Sequence, residues 1–339
     1  MILDAQRRSP TVLCSGFVAL DVVKHRGQIV AHRAGGTAAN VAANLAFLGW
    51  HAEVAGRIGR DRAGKVLRDD LSRSHVLVTN LHRESTLSTP LVLHEVVQRG
   101  HRFRFSCPVC GRRFPRYQPL AAEDIPSVLK RRPSVLFIDR ANSATALLAE
   151  HFRDAGALVV FEPSTPGDSG AFTTMVQLAH IVKYSRERLS GFRATLAAMT
   201  RRQDQLWIST AGAAGSRYWL KGRWHEVDAY PTRSIDAGGA GDWMTAGILA
   251  GLPGVTLADL DQEAIGAAIQ FGQALAAVSC AFLGARGLSS HSSATQARAW
   301  AVQLIQDGAA LGPRPVGAMH KPVADSGCVG CLRSEPAVP

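Results

Sequence analysis

Short apolar runs alternate along this chain with longer stretches in which small and apolar residues recur at helical spacing. Residues 11–16 form a compact apolar run ending at Gly16, and residues 38–48 keep helical spacing until Gly49 stops it. Residues 51–58 then read as a strand and 63–74 as a helix. Further strands are predicted at 135–139, 158–161, 181–183 and 206–209, with helical stretches between them, and 294–306 predicts a last helix. Apolar strands that each feed a helix make a parallel sheet covered on both faces. The expected class is therefore α/β, a doubly wound, mostly parallel sheet in three layers. Ligands in such sheets bind beyond the carboxyl ends of the strands.

Two stretches break this alternation. Residues 22–33 and 86–104 read as strand-and-turn ribbons, with two-residue periodicity in Leu91-Val92-Leu93-His94-Glu95-Val96-Val97 and in Phe103-Arg104-Phe105. They predict a small second sheet beside the main one. Beyond residue 307 the chain is rich in Gly, Pro and small residues. The expected organisation is one domain over 11–307, with second-sheet strands at about 22–33 and 86–117. A flexible tail over 308–339 follows, tied down only where its cysteines hold it.

Composition narrows the class. Hydrophobic residues make up 46% of 339, enough for a sizeable core. No run approaches the ~18 uninterrupted apolar residues of a membrane span. Residues 1–10 are polar and charged and lack a secretory core, so cytoplasmic location is the default expectation. The formal net charge of +11 raises the question of nucleic acid. Most of the excess is dispersed, with one cluster (Arg99, Arg102, Arg104, Arg112, Arg113, Arg116) in a segment free of carboxylates from Gln98 to Ala122. Nucleic acid is not expected as a partner, and the cluster reads as a solvated face or a contact for an anionic group.

Two glycine-rich segments carry the chemistry. In Asp236-Ala237-Gly238-Gly239-Ala240-Gly241-Asp242 three glycines in four positions precede an apolar helical run. Glycines let the backbone approach a ligand closely, and the free N–H groups of a helix start hold an anion. Asp242 is badly placed to bind phosphate but well placed to take a proton from a hydroxyl attacking one. The second segment, Ala34-Gly35-Gly36-Thr37-Ala38-Ala39-Asn40, suits a polyhydroxylated ligand, with Asn40 adding a two-way amide. Taken alone it is also an ordinary strand-to-helix turn. So is Gly59-Arg60-Asp61-Arg62-Ala63-Gly64, where Asp61 suits a helix N-cap. Neither a Gly-x-x-x-x-Gly-Lys-Ser/Thr loop nor a Gly-x-Gly-x-x-Gly fingerprint is present. His51-Ala52-Glu53 upstream of Cys107 and Cys110 lacks the proline of a zinc deaminase.

These pieces, in this order, resemble the PfkB (ribokinase-like) family of carbohydrate and nucleoside kinases. Gly35, Gly36, Asn40, Gly49, Gly59, Asp61 and Gly64 match its N-terminal signature, and residues 236–242 match Asp-Thr-x-Gly-Ala-Gly-Asp with Ala237 for threonine. The resemblance runs from about Val12 to about Leu288. It implies a ribokinase-like sheet with a small β lid, and ATP-dependent phosphorylation of a hydroxyl of a sugar or nucleoside. Asp242 would then be the catalytic base, with the backbone of Gly239, Ala240 and Gly241 as anion hole. Asp21, Gly35, Gly36 and Asn40 would hold the substrate. Thr210, Gly212 and Gly215 match the nucleotide loop Thr-x-Gly-x-x-Gly. Mg²⁺ would bridge the ATP oxygens. Lids of this family can pair between protomers, which implies a homodimer through the lid. The family's Asn-x-x-Glu motif is altered: Ser185 and Arg188 stand at its two positions, and Glu187 supplies the acid only by a one-residue shift.

Six cysteines complete the picture. Cys14 and Cys280 lie in apolar runs and read as core thiols. Cys107-Pro108-Val109-Cys110-Gly111 has the form of a zinc knuckle, and Cys328 and Cys331 supply the two further thiolates a structural Zn²⁺ needs. Such a site would bolt the tail to the lid. The competing reading is a catalytically weak protein that binds a partner or nucleic acid through this basic, zinc-stabilised lid.

Overall fold

The computed structural model describes residues 9–97, 100–165, 168–252 and 261–308. The chain opens with β1 (Thr11–Ser15), β2 (Ala19–His25), β3 (Gln28–Gly35), α1 (Thr37–Phe47) and β4 (His51–Gly59). Helix α2 (Arg62–Arg73) leads to β5 (Val76–Leu77), β6 (Leu81–Glu84), β7 (Leu91–Val97) and β8 (Gly100–Arg104). Then come α3 (Ile125–Leu129), β9 (Val135–Ile138), α4 (Ser143–Asp154), β10 (Leu158–Phe161), α5 (Ser169–Leu178) and β11 (Ile181–Ser185). Helix α6 (Arg193–Ala198) precedes β12 (Leu206–Thr210), β13 (Ser216–Leu220) and β14 (Arg223–Val227). Four helices finish the described fold: α7 (Ala240–Gly251), α8 (Gln262–Ser279), α9 (Gly287–His291) and α10 (Ala294–Asp307).

Among the described residues the main sheet runs β14-β13-β12-β11-β10-β9-β1-β4-β5, with β6 also on β4. Only the β12–β13 and β13–β14 pairs are antiparallel. Its central strands β1, β9 and β10 are almost wholly apolar because both faces are covered. On β1, Val12 and Cys14 join the core under α1, α7 and α8, while Leu13 joins the core under α4 and α5. Cys14 and Cys280 are both buried, as expected of core thiols. The chain leaves β1 towards β4 on one side and later towards β9 on the other. That reversal opens a crevice at the carboxyl ends of β1 and β9.

The second sheet, β3-β2-β7-β8, stands over this crevice as a lid. Its first ribbon begins earlier than the pattern suggests, at Ala19. Asp21 therefore lies inside a lid strand, paired with Arg33 on one side and Val92 on the other. The interruption of an apolar run by one buried carboxylate hid that boundary. The antiparallel pair β13–β14 was not singled out from the pattern at all; it extends the sheet beyond the parallel strands. Asp61 is the N-cap of α2, accepting from Gly64 N–H at 2.8 Å. No described helix is long and apolar enough to cross a membrane.

Candidate active site

Five segments meet in the crevice, and glycine makes two of the approaches possible. Gly36 caps α1 at φ 83°, and a Cβ there would lie 2.4 Å from the Phe17 carbonyl. A Cβ on Gly35 would lie 2.0 Å from the Asp21 carboxylate. Asp21 can thus lie directly on the β3 backbone. The strand end is held by Asp70 of α2, which accepts from Ala34 N–H (2.9 Å) and from Arg286 (2.8 Å). Gly239 caps α7 in the left-handed region, φ 81°, with its Cα hydrogens against Ala285.

Asp242 sits in the first turn of α7 and is buried. Asn40 Nδ2, from the first turn of α1, donates to Asp242 Oδ2 at 2.7 Å across 202 positions of sequence. Burial, reinforced by the nearby charge of Glu162, pushes the Asp242 carboxyl up to about 7, against the opposing influence of Arg188, Asn40 and Lys183. Asp21 is also driven up to about 7 by burial, less what His94 and Arg286 take back. Two carboxylates poised near neutrality in one crevice are suited to proton transfer and to gripping hydroxyls. Of the three expected anion-hole positions, Ala240 turns its N–H back to the Ala237 carbonyl (3.2 Å). The first-turn amides of Gly241 and Asp242 have no i−4 carbonyl to bond and so remain the natural donors to an anion.

Asp21, Gly36, Asn40, Gly239 and Asp242 line one cavity of about 230 Å³. Phe103 and Phe105 of the lid region roof it, and Arg140 and Arg188 edge it. Arg140 is fixed by Asp139 (2.8 Å) and Ser164 and stacks on Phe17, 4.8 Å from the ring centre. Thr210, Gly212 and Gly215 lie apart from this cavity, at and just after the carboxyl end of β12, beside Ser185 of β11. Glu187 is exposed and does not line the cavity; Arg188 does. The acidic group closest to the anion hole is instead Glu162, just after β10. It bonds Lys183 Nζ (2.5 Å) and Thr245, and Lys183 also donates to the Gly241 carbonyl (3.1 Å).

Glu162, Lys183, Asp139 and Arg140 were missing from the expected site. A signal existed: each is a charged residue within or just after a mainly apolar, buried strand, towards the carboxyl end where ligands bind. Away from the crevice, residues 106–113 form a tight knuckle. Cys107 N–H donates to Arg112 O and Gly111 N–H to Cys107 O, both at 2.9 Å, and Ser106 bridges to Arg113. Gly111 has φ 69°. Cys107 is buried and Cys110 exposed. Cys328 and Cys331 lie outside the described residues.

Comparison with known proteins agrees with this fold. A fructokinase of Salmonella typhimurium is 28% identical over 239 residues, covering 64% of this chain and 76% of the relative. Probable fructokinase-6, chloroplastic, of Arabidopsis thaliana is 24% identical over 318 residues, 82% of this chain and 79% of the relative. Among solved structures, a Vibrio cholerae O395 fructokinase double mutant, in its fructose-, ADP- and potassium-bound form, superposes with a TM-score of 0.69 at 23% identity. It covers 87% of this chain and 99% of that one. Fructokinase of Xylella fastidiosa with bound ATP gives 0.68 at 22% identity, over 88% and 98%. The family model for pfkB family carbohydrate kinases matches residues 11–291, and the chain belongs to that family of sugar kinases.

Proposed function

We propose that this sugar kinase transfers the γ-phosphoryl group of ATP to a hydroxyl of a fructose-like ketose, with Asp242 as general base. The observation that carries this reading is the 2.7 Å Asn40–Asp242 bond inside a roofed cavity that also holds Asp21. Asn40 aims the Asp242 carboxylate, and a pKa near 7 suits it to take the proton of an attacking hydroxyl. The first-turn amides of α7 receive the transferred group without rearrangement. Asp21, with the backbone of Gly35 and Gly36, grips neighbouring hydroxyls, and the lid excludes water as a competing acceptor. Fructokinases recur among the relatives, which favours fructose as first substrate.

ATP would take the loop from Thr210 to Gly215 at the carboxyl end of β12. Mg²⁺ would supply charge neutralisation of its phosphates, and Glu162 rather than Glu187 is the carboxylate beside that position. Zinc suits the Cys-x-x-Cys knuckle of Cys107 and Cys110, with Cys328 and Cys331 completing four ligands. The lid sheet would then carry the contact between two protomers. Nucleic acid has no part in this reading. The test is ATP consumption over a panel of fructose, ribose, tagatose phosphate and nucleosides. Turnover with none of them would reject the substrate class, and less than about half an equivalent of zinc per chain would reject the four-thiolate site.

A further inference from the structure

The underside of the lid carries two histidines that phosphoryl transfer leaves unused. His94 on β7 is paired with Phe103 of β8, and His101 lies two residues from Phe103, so both imidazoles share one face of the sheet. The two rings meet edge to face, 5.4 Å between centres, and Phe103 packs on both. Facing them is Asp236, the first residue of the glycine loop that leads to Asp242. His94 Nε2 lies 3.2 Å from both Asp236 oxygens, and His101 Nδ1 lies 3.4 Å from Oδ1. All three ligand atoms fall within 4.8 Å of one another. His101 Nδ1 is buried there without a hydrogen-bond partner.

These distances are long for hydrogen bonds to an ionised carboxylate, which close to about 2.7–2.9 Å. The two imidazole-to-carboxylate distances also fit the edge of a coordination tetrahedron. Metal–ligand bonds of about 2.0–2.1 Å set neighbouring donors about 3.4 Å apart. The carboxylate is prepared for such a role. Gly238 N–H (2.8 Å) and Gly284 N–H (2.9 Å) each donate to one of its oxygens, fixing its orientation as an outer shell does for a ligating carboxylate.

We propose that His94 Nε2, His101 Nδ1 and one Asp236 oxygen bind a single Zn²⁺-like transition-metal ion that fastens the lid to the anion-hole loop. Two imidazoles and one carboxylate select borderline ions and reject Mg²⁺, which requires octahedral oxygen ligation. The site uses none of the four paired cysteines and stands independently of the substrate assignment. An ion here ties β7 and β8 to the segment six residues before the catalytic base. Its occupancy would therefore hold the substrate cavity closed.

Cobalt distinguishes this site from a thiolate one by its spectrum. Chelator-stripped full-length protein is titrated with Co²⁺, then with competing Zn²⁺, in the unmodified chain, in His101→Ala and His101→Asn, and in Cys107→Ser. The expected result is a visible cobalt band free of sulfur-to-metal charge transfer, additional to any band from the thiolates, displaced by Zn²⁺ and retained in Cys107→Ser. Affinity at this site should fall roughly 100-fold or more in both His101 variants, because loss of a ligand exceeds loss of an outer-shell partner. Identical titrations of the unmodified chain and His101→Ala would overturn the proposal. So would a spectrum showing sulfur-ligated cobalt alone.

Discussion

Replacing Asp242 by asparagine should make the protein more stable while removing its activity. Burial and Glu162 move this carboxyl from 3.8 to about 7, which corresponds to a ceiling of ~4 kcal/mol for keeping it ionised in the fold. The sign is opposite to that of a salt-bridged aspartate. With the folded pKa raised, the folded state holds its proton longer than the unfolded chain. Stability from this group is full below about pH 4, falls as pH rises, and levels off above about 7. Asparagine has no proton to lose, and its carbonyl can still accept from Asn40 Nδ2. The stability gap between variant and unmodified chain should therefore widen by roughly 2–3 kcal/mol between pH 5 and pH 8. For a domain of this size that is a rise in relative Tm of roughly 3–5 °C, readable by calorimetry at the two pH values. Turnover should drop by about 10²–10⁴ at both. A gap that stays constant with pH would refute the buried-charge reasoning, and unchanged turnover would refute the role of Asp242.

Three further outcomes follow from the same geometry. The pH profile of kcat/KM should rise through about pH 7, because both Asp242 and Asp21 must ionise in the free enzyme; a flat profile from pH 5.5 to 8, a range of about 2.5 pH units, would count against both. Asp21→Asn should raise KM for sugar well beyond any change in KM for ATP, measured by varying each substrate in turn. Arg286→Ala should destabilise the fold by about 1–3 kcal/mol in urea unfolding, since buried Asp70 loses its 2.8 Å partner and keeps only the half-exposed Arg33 (3.1 Å) and the Ala34 N–H beside it.

The parts of the site written in contiguous residues were legible in the sequence, and those assembled by topology were not. The helix-capping glycines at 36 and 239 signalled close backbone approach because no other residue type accommodates that geometry. The parallel sheet was legible for a similar local reason: central strands such as β1, β9 and β10 are apolar on both faces, and strands alternate with helices along much of the chain. Glu162, Lys183 and Thr245 sit on three separate elements, up to 83 positions apart, and become one network only when β10, β11 and α7 converge. The same holds for Arg286 and Asp70, 216 positions apart. A charged residue inside or just past an apolar strand was the available clue, and the altered Asn-x-x-Glu segment drew attention to Glu187 instead of Lys183 four residues earlier.

That substitution pattern has a consequence for how charge is arranged around the transferred group. With Arg188 edging the cavity and Glu187 turned out to solvent, the β11 end contributes positive charge where an acidic residue is usual for the family. Lys183 adds a second cation under the Gly241 carbonyl, partly neutralised by Glu162. An anionic phosphoryl group entering this region meets two cations and the α7 amides, so less of its charge remains for a metal to neutralise. Arg188→Glu should restore that demand. It should lower the Mg²⁺ concentration needed for half-maximal turnover, since a carboxylate there attracts the cation, and move the kcat/KM limb of Asp242 to higher pH, because Arg188 is the largest influence holding that carboxyl down. Unchanged metal dependence together with an unmoved pH limb would show that Arg188 does not act on the reacting charge.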